Sequence, residues 1–289
     1  MGASIPTSML VIITLLGLVI LLMVLATVGI KSLRTIGELW QGLNQKKLEP
    51  LLENYLHHGV GLDALCGVSS RKLNRYLTPL LIERIRYVRG ASRGHMTQLA
   101  HDLGLVRKNH SALNSRRRWH RARAAERLGY LGGAEQVQAL GALLVDKDET
   151  VRAVAARALT QIATPSAVDI LVRTLDDPSE LTRLRVAENL DRLGPQAVPH
   201  LISRAREWSA CDDNSRCTGL MTMLSVLGGM RSPQARSVLR ATIDTATNAT
   251  VRAEAVWALG RCGGPGDVRL LITCAGDKDW AVRKQAANA

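Results

Sequence analysis

Residues 146–175 read DKDETVRAVAARALTQIATPSAVDILVRTL, and this stretch decides the fold. Ala155, Leu159 and Ile162 recur at helical spacing, so one face of the first run is apolar. Thr164-Pro165 stops that run, and a second helix begins near Val168. The stretch therefore predicts a helical hairpin. Working outward, the same pattern returns as HRARAAERLGYL (His120–Leu131), TRLRVAENLDRL (Thr182–Leu193) and VRAEAVWALGRC (Val251–Cys262), and AVRKQAANA (Ala281–Ala289) opens another copy. The copies at His120, Val151 and Thr182 lie 31 residues apart, and a degenerate copy, CTGLMTMLSVLG (Cys217–Gly228), fills the longer gap that follows. The turns fall at Gly132-Gly133, Gly194-Pro195, Ser232-Pro233 and Gly263-Gly264-Pro265, with second helices beginning near Val137, Val198, Ala235 and Val268.

One hairpin cannot bury its apolar stripes alone, so the units must stack and share a core. Small Ala124 and Ala155 at the head of each stripe let neighbouring helices approach closely. An arginine recurs at one position of the first helices outside the degenerate copy: Arg121, Arg152, Arg183, Arg252 and Arg283. An acidic residue stands six positions before it at Asp146, Asp177 and Asp277, and four before it at Asp148 and Asp279. Recurrence at structural positions predicts a ladder between units, with arginine binding carboxylates or helix-end carbonyls. A catalytic Asp/Arg array would not recur in every unit.

These units resemble HEAT repeats, in particular the short bacterial HEAT-like class named after phycobilisome bilin lyases. The resemblance covers residues 119–289. It implies an all-α, right-handed α-solenoid of helical hairpins, and it says little about function. The last unit stops at Ala289 inside its first helix; the expectation is a fragment, or an end that packs on something else.

Ser8 to Ile30 reads SMLVIITLLGLVILLMVLATVGI, without a charge. As a helix its 23 residues reach ~34 Å, enough to cross a hydrocarbon core of roughly 30 Å. A soluble helix would show a polar face, and a cleaved signal would carry a basic start and a shorter apolar run. Here the basic residues Lys31, Arg34, Lys46 and Lys47 follow the run. The positive-inside rule then predicts one span in a bacterial inner membrane, with the N-terminus outside and the repeats in the cytoplasm. The whole layout resembles bacterial membrane proteins with one N-terminal span and cytoplasmic HEAT repeats. Domains are expected at 1–30 (anchor), 31–118 (basic juxtamembrane helical region) and 119–289 (repeats).

Charge is uneven. Residues 31–118 hold 16 basic and 6 acidic residues, a balance of +10, whereas 119–289 hold 22 and 19, a balance of +3. The basic segment suits anionic lipid or an acidic partner, with Lys31, Arg34, Lys46 and Lys47 closest to the bilayer. Its later part, Met96–Leu105, is apolar on one face and is expected to cap the first repeat. Pro79 should kink or restart a helix, and Gly90 and Gly94 should punctuate the segment. Aromatics make up 3% of the chain and the repeats are nearly neutral, so nucleic acid is not expected as a partner.

No phosphate-binding loop, Gly-x-Ser-x-Gly or His-Glu-x-x-His motif occurs. Deoxyhypusine hydroxylase is a HEAT enzyme that holds iron through His-Glu pairs, and this chain has no His-Glu dipeptide. His57, His58 and Cys66 could be drawn together as a metal site, and Cys211 and Cys217 as a metal or redox pair. Polar surface histidines and reduced thiols are the simpler reading. No cofactor, metal or catalytic residue is assigned. The expected function is a membrane-anchored, non-enzymatic scaffold that binds a protein partner, accessory to a membrane enzyme such as a glycosyltransferase. Its contact face would be the second helices, through Arg173, Arg204, Arg240 and Arg269. The alternatives are a bilin lyase-like HEAT enzyme and a nucleic-acid-binding HEAT protein.

Overall fold

The computed structural model describes residues 7–58, 65, 67–69, 72–88, 91–208 and 214–289. They are all helical or in turns, and they fall into two compact units, 1–83 and 84–289.

In the first unit, α1 runs unbroken from Thr7 to His58, 52 residues. Within it, Leu15–Ser32 has a mean hydropathy of 2.3 and none of it is buried, which makes this a helix long and apolar enough to cross a membrane. Farther along α1, Leu48 and Leu52 are buried, as are Leu65, Leu77 and Leu81. A π-helical turn, Leu73–Leu77, leads into α2 (Thr78–Tyr87). Pro79 explains that turn. A proline ring collides with the carbonyl four residues back, here that of Arg75, so the preceding turn widens and α2 restarts with Pro79 in its first turn.

In the second unit, α3 (Ala91–Asp102) and α4 (Leu105–Ala112) precede the repeats. Gly94 lies inside α3 and does not break it; the break falls at Gly104, whose φ of 66° is the left-handed conformation that glycine adopts without penalty. Met96, Leu99, Ala100, Leu105 and Val106 are buried, and both helices pack on α5 (Arg118–Leu131). Polar ties fix them there: Arg93 donates to the Gln161 carbonyl at 3.1 Å, and His110 meets Gln136 at 2.7 Å.

The repeats then alternate between two layers. First helices are α5, α7 (Glu149–Ile162), α9 (Glu180–Leu193), α11 (Asn214–Gly229), α13 (Ala249–Cys262) and α15 (Trp280–Asn288). Second helices are α6 (Val137–Ala142), α8 (Pro165–Arg173), α10 (Val198–Trp208), α12 (Arg236–Thr245) and α14 (Val268–Cys274). Each first helix packs on the next, and α6, α8, α10 and α12 stack in the same order. The apolar stripes meet between the layers: Leu128, Leu159, Leu171, Leu190, Leu201, Leu224 and Leu259 are fully buried. Small residues set the spacing. A Cβ on Gly129 would stand 2.7 Å from the Ala158 Cα, and one on Gly228 would stand 2.9 Å from the Ala258 Cα, so the first helices touch almost backbone to backbone there. Cys217, Cys262 and Cys274 are buried, while Cys66 and Cys211 lie outside the described residues.

Candidate functional site

The recurrent arginines have one geometry. Each guanidinium donates to the carbonyl six residues earlier: Arg121 to Ser115 at 2.9 Å, Arg152 to Asp146 at 2.9 Å, Arg183 to Asp177 at 2.6 Å, Arg252 to Ala246 at 3.0 Å and Arg283 to Asp277 at 2.9 Å. Those carbonyls end the turn into each first helix, where backbone oxygens lack helical partners. The carboxylate of the same position reaches the other way, to the arginine of the preceding unit. Asp146 takes a two-pronged bond from Arg121 at 2.7 and 2.8 Å, and Asp277 lies 3.5 Å from Arg252. Arg152 breaks the series and bonds Thr182 at 3.1 Å. Asp148 and Asp279, four positions before their arginines, cap α7 and α15 by accepting backbone N–H bonds; Ser179 and Asn248 do so for α9 and α13.

Electrostatics follow from these contacts. The hydrogen bond from Arg121 holds the Asp146 carboxyl below its ordinary value, and the same bond raises Arg121. Arg118 does this for Asp148, at 3.1 Å, and for Asp277 the backbone N–H of Asp279 leads, with Arg252 adding to it. The ladder's charges thus act within the chain.

The four second-layer arginines differ from one another. Arg173 is exposed and pairs with Asp169 one turn back, at 2.8 Å. Arg204 pairs with Glu207 at 2.8 Å, its guanidinium 4.8 Å from the Trp208 ring centre. Arg240 holds Asp267 of the next unit, a carboxylate only 1% exposed. Burial pulls Asp267 upward, but the Gly264 N–H and Arg240 outweigh it and its value is lowered. Arg269 is exposed. Arg240 is therefore engaged in packing, and Arg173 and Arg269 are the more accessible of the four.

On α1, Lys31, Lys46 and Lys47 are exposed. Because the helix is continuous, Lys46 and Lys47 lie about 21–23 Å beyond Ser32 along its axis, at 1.5 Å per residue. That exceeds a Debye length of roughly 8–10 Å. The side chain of Arg34 lies outside the described residues.

A feature absent from the sequence reading lies in the first layer. A groove of about 360 Å³ opens between α7 and α9, lined by Glu149, Arg157, Arg185, Glu188, Asn189 and Arg192, among others. Arg157 pairs with Glu126 at 2.9 Å, Arg185 with Glu149 at 3.6 Å and Arg192 with Glu188 at 2.6 Å. All six side chains are 40–60% exposed, so each pair contributes at most about 1 kcal/mol and can exchange for an incoming charge. Asn189 is 7% exposed and donates to the Arg185 carbonyl at 2.7 Å. The sequence held a signal for this groove. The position filled by Ala158 carries Arg127 one 31-residue step earlier and Asn189 one step later, so the close Gly129–Ala158 approach is not repeated at α9. Burial pushes the Arg127 guanidinium down to about 10. Among the described residues no group of three or more His, Cys, Asp or Glu could hold a metal ion; the proposed His57, His58, Cys66 set and the Cys211–Cys217 pair each include a cysteine outside those residues.

The sequence matches the HEAT-repeat family model over residues 106–191, 143–212 and 198–289. Together these run from 106 to 289, more than half of the 289 residues, and the chain belongs to the HEAT-repeat family. No curated protein matches it. Among solved structures, the CpcE–CpcF complex of phycocyanin lyase from Nostoc sp. PCC7120 is similar at 23% identity and a TM-score of 0.35, over 63% of this chain and 74% of that one. Human deoxyhypusine hydroxylase in complex with glycerol is similar at 19% identity and 0.34, over 86% and 96%. An engineered protein is similar at 22% and 0.36, over 78% and 65%.

Proposed function

We propose that this chain is a membrane-tethered, non-enzymatic HEAT-repeat adaptor that binds a protein partner. The observation that carries the reading is the pairing, in one chain, of an apolar helix with no buried residue in Leu15–Ser32 and a solenoid whose recurrent charges are spent between its own units. The exposed helix suits a bilayer. The basic residues after it favour a single span with the N-terminus outside and the repeats in the cytoplasm of a bacterium. The groove between α7 and α9, with exchangeable ion pairs of both signs, suits a protein segment of mixed charge, and Arg173 and Arg269 add a second-layer contact for acidic groups. A photo-crosslinking amino acid at position 192, in the full chain in its native cells, tests this. A discrete protein adduct that disappears with Arg185→Glu is expected. An adduct that survives Arg185→Glu, or crosslinking to this chain alone, contradicts the reading.

A second reading is a lyase-type activity on a carboxylate-bearing tetrapyrrole, as the likeness to a phycocyanin lyase suggests. It is favoured by one feature, three arginines converging on the groove, which could receive carboxylates. Mixing the purified chain with a free bilin separates the two. A red-shifted, arginine-dependent absorbance supports the lyase-type reading, and an unchanged spectrum removes it.

A further inference from the structure

The N-terminal edge of the repeats carries a surface that neither reading uses. From Leu103 to Ala125 the chain has seven basic residues (Arg107, Lys108, Arg116, Arg117, Arg118, Arg121, Arg123) and no acidic one. Arg121 is buried in the ladder, and Arg118 shares Asp148. Arg116, Arg117 and Arg123 are exposed. Among them stands Trp119, 53% exposed, its ring stacked on His120 with centres 3.6 Å apart. Exposing a tryptophan to water wastes apolar area, and three neighbouring arginines repel one another. Both costs fall if the surface meets a layer that is anionic outside and apolar just beneath.

We propose that Arg116, Arg117 and Trp119 form a contact site for anionic lipid headgroups. This deepens the tether reading and rests on it for the supply of lipid. The arginines would pair with phosphates, and the indole would seat at the headgroup level, where its apolar body and N–H are both satisfied. Charge complementarity selects this occupant over a neutral surface. The exposed indole beside the arginines fits a headgroup layer, which satisfies ring and charges together, and the tether supplies such a layer. Trp280 marks the contrast. It is 66% exposed, but it lies between Asp277, Asp279 and the basic Arg283, and Lys284 sits 5.9 Å from its ring centre. Mixed charge there gives no preference for an anionic layer.

The test uses the full chain reconstituted into phosphatidylcholine vesicles, with or without about a third phosphatidylglycerol, containing lipids brominated near the headgroup. Quenching of tryptophan fluorescence is compared between the parent and Trp119→Leu, and the difference reports Trp119 alone. Quenching of Trp119 is expected only with phosphatidylglycerol, fading at 1 M salt, where the Debye length is about 3 Å. Arg116→Gln and Arg117→Gln should each weaken it about fivefold, the equivalent of roughly 1 kcal/mol per basic residue. Trp280→Leu should leave the difference unchanged. Equal quenching of the parent and Trp119→Leu overturns the proposal, as does salt-insensitive quenching in pure phosphatidylcholine. Arginine-dependent binding to polyglutamate without quenching overturns it in favour of a protein. Flotation on pure phosphatidylcholine keeps the two claims apart: failure to float refutes the tether, whereas flotation without Trp119 quenching refutes only the lipid site.

Discussion

Two helices of this chain, Leu15–Ser32 of α1 and Glu149–Ile162 of α7, show opposite ways of placing apolar side chains. In α1, Leu15, Leu16, Leu18, Val19, Ile20, Leu21 and Leu22 are each about half exposed or more, all round the helix. In α7, Val151, Ala155, Ala156, Ala158 and Leu159 are buried on one side, the N-terminus is capped by Asp148, and charged residues occupy the outer side. Helix α7 makes its own apolar environment with its neighbours, and loses it if they part. The Leu15–Ser32 run of α1 has no residue buried inside the chain. The same backbone geometry thus serves a stacked solenoid in one case and an apolar run without packing partners in the other.

Substitutions can break this comparison from either side. The largest effect is expected from Leu18→Arg combined with Leu22→Arg. Each arginine near the middle of a span costs about 2.5–3.5 kcal/mol for insertion, so the chain should leave the membrane fraction on cell fractionation. Its thermal melt by circular dichroism should keep the solenoid's midpoint. Leu159→Ala should do the reverse, lowering stability by about 2–5 kcal/mol through an unfilled core while membrane association stays intact. If either substitution changed both readouts, the independence of the two units would fail.

The ladder adds a polar term to α7's side of the comparison. Arg152→Ala leaves the Asp146 carbonyl and the Thr182 hydroxyl without their charged donor, and the melt should fall by about 1–3 kcal/mol. A melt equal to that of the parent would mean that the guanidinium is merely solvated. The carboxylates give the pH dependence. Asp146, Asp148 and Asp277 all have lowered values in the folded chain. An unfolded aspartate binds protons near pH 3.9, and these folded ones do so at lower pH. Their stabilisation is therefore complete above about pH 4–5 and is lost as pH falls through the folded values. Asp146→Asn should flatten that acid limb in a urea titration, and an unchanged limb would assign acid sensitivity elsewhere. The smallest effect is expected at Ala163, which ends α7 with a φ of 54°. Glycine adopts that conformation without a Cβ clash, so Ala163→Gly should stabilise the solenoid by about 0.5–1 kcal/mol in the same melt.

The repeated hairpins, their turns and the small residues between helices were legible because each depends on local spacing: Ala155, Leu159 and Ile162 repeat what Ala124, Leu128 and Leu131 do. The recurrence of Arg152 and its relatives was legible too. The direction of its bonds was not, since the carbonyl of Asp146 serves Arg152 while its carboxylate serves Arg121, and spacing alone does not separate the two oxygens. The groove between α7 and α9 escaped for a related reason. It arises where Asn189 replaces a small residue, and it lies on the first helices, whose charges read as a solvated face. The unbroken run of α1 to His58 was hidden by its change in composition after Ile30, which reads as a boundary although the backbone continues through it.

The most direct test of a membrane-tethered solenoid is alkaline-carbonate extraction of membranes from cells making the full chain, with the mass of the retained protein measured. The tether predicts that the protein stays in the pellet at its full 31.4 kDa. Recovery in the supernatant, or a product shortened by loss of the apolar segment, would contradict it.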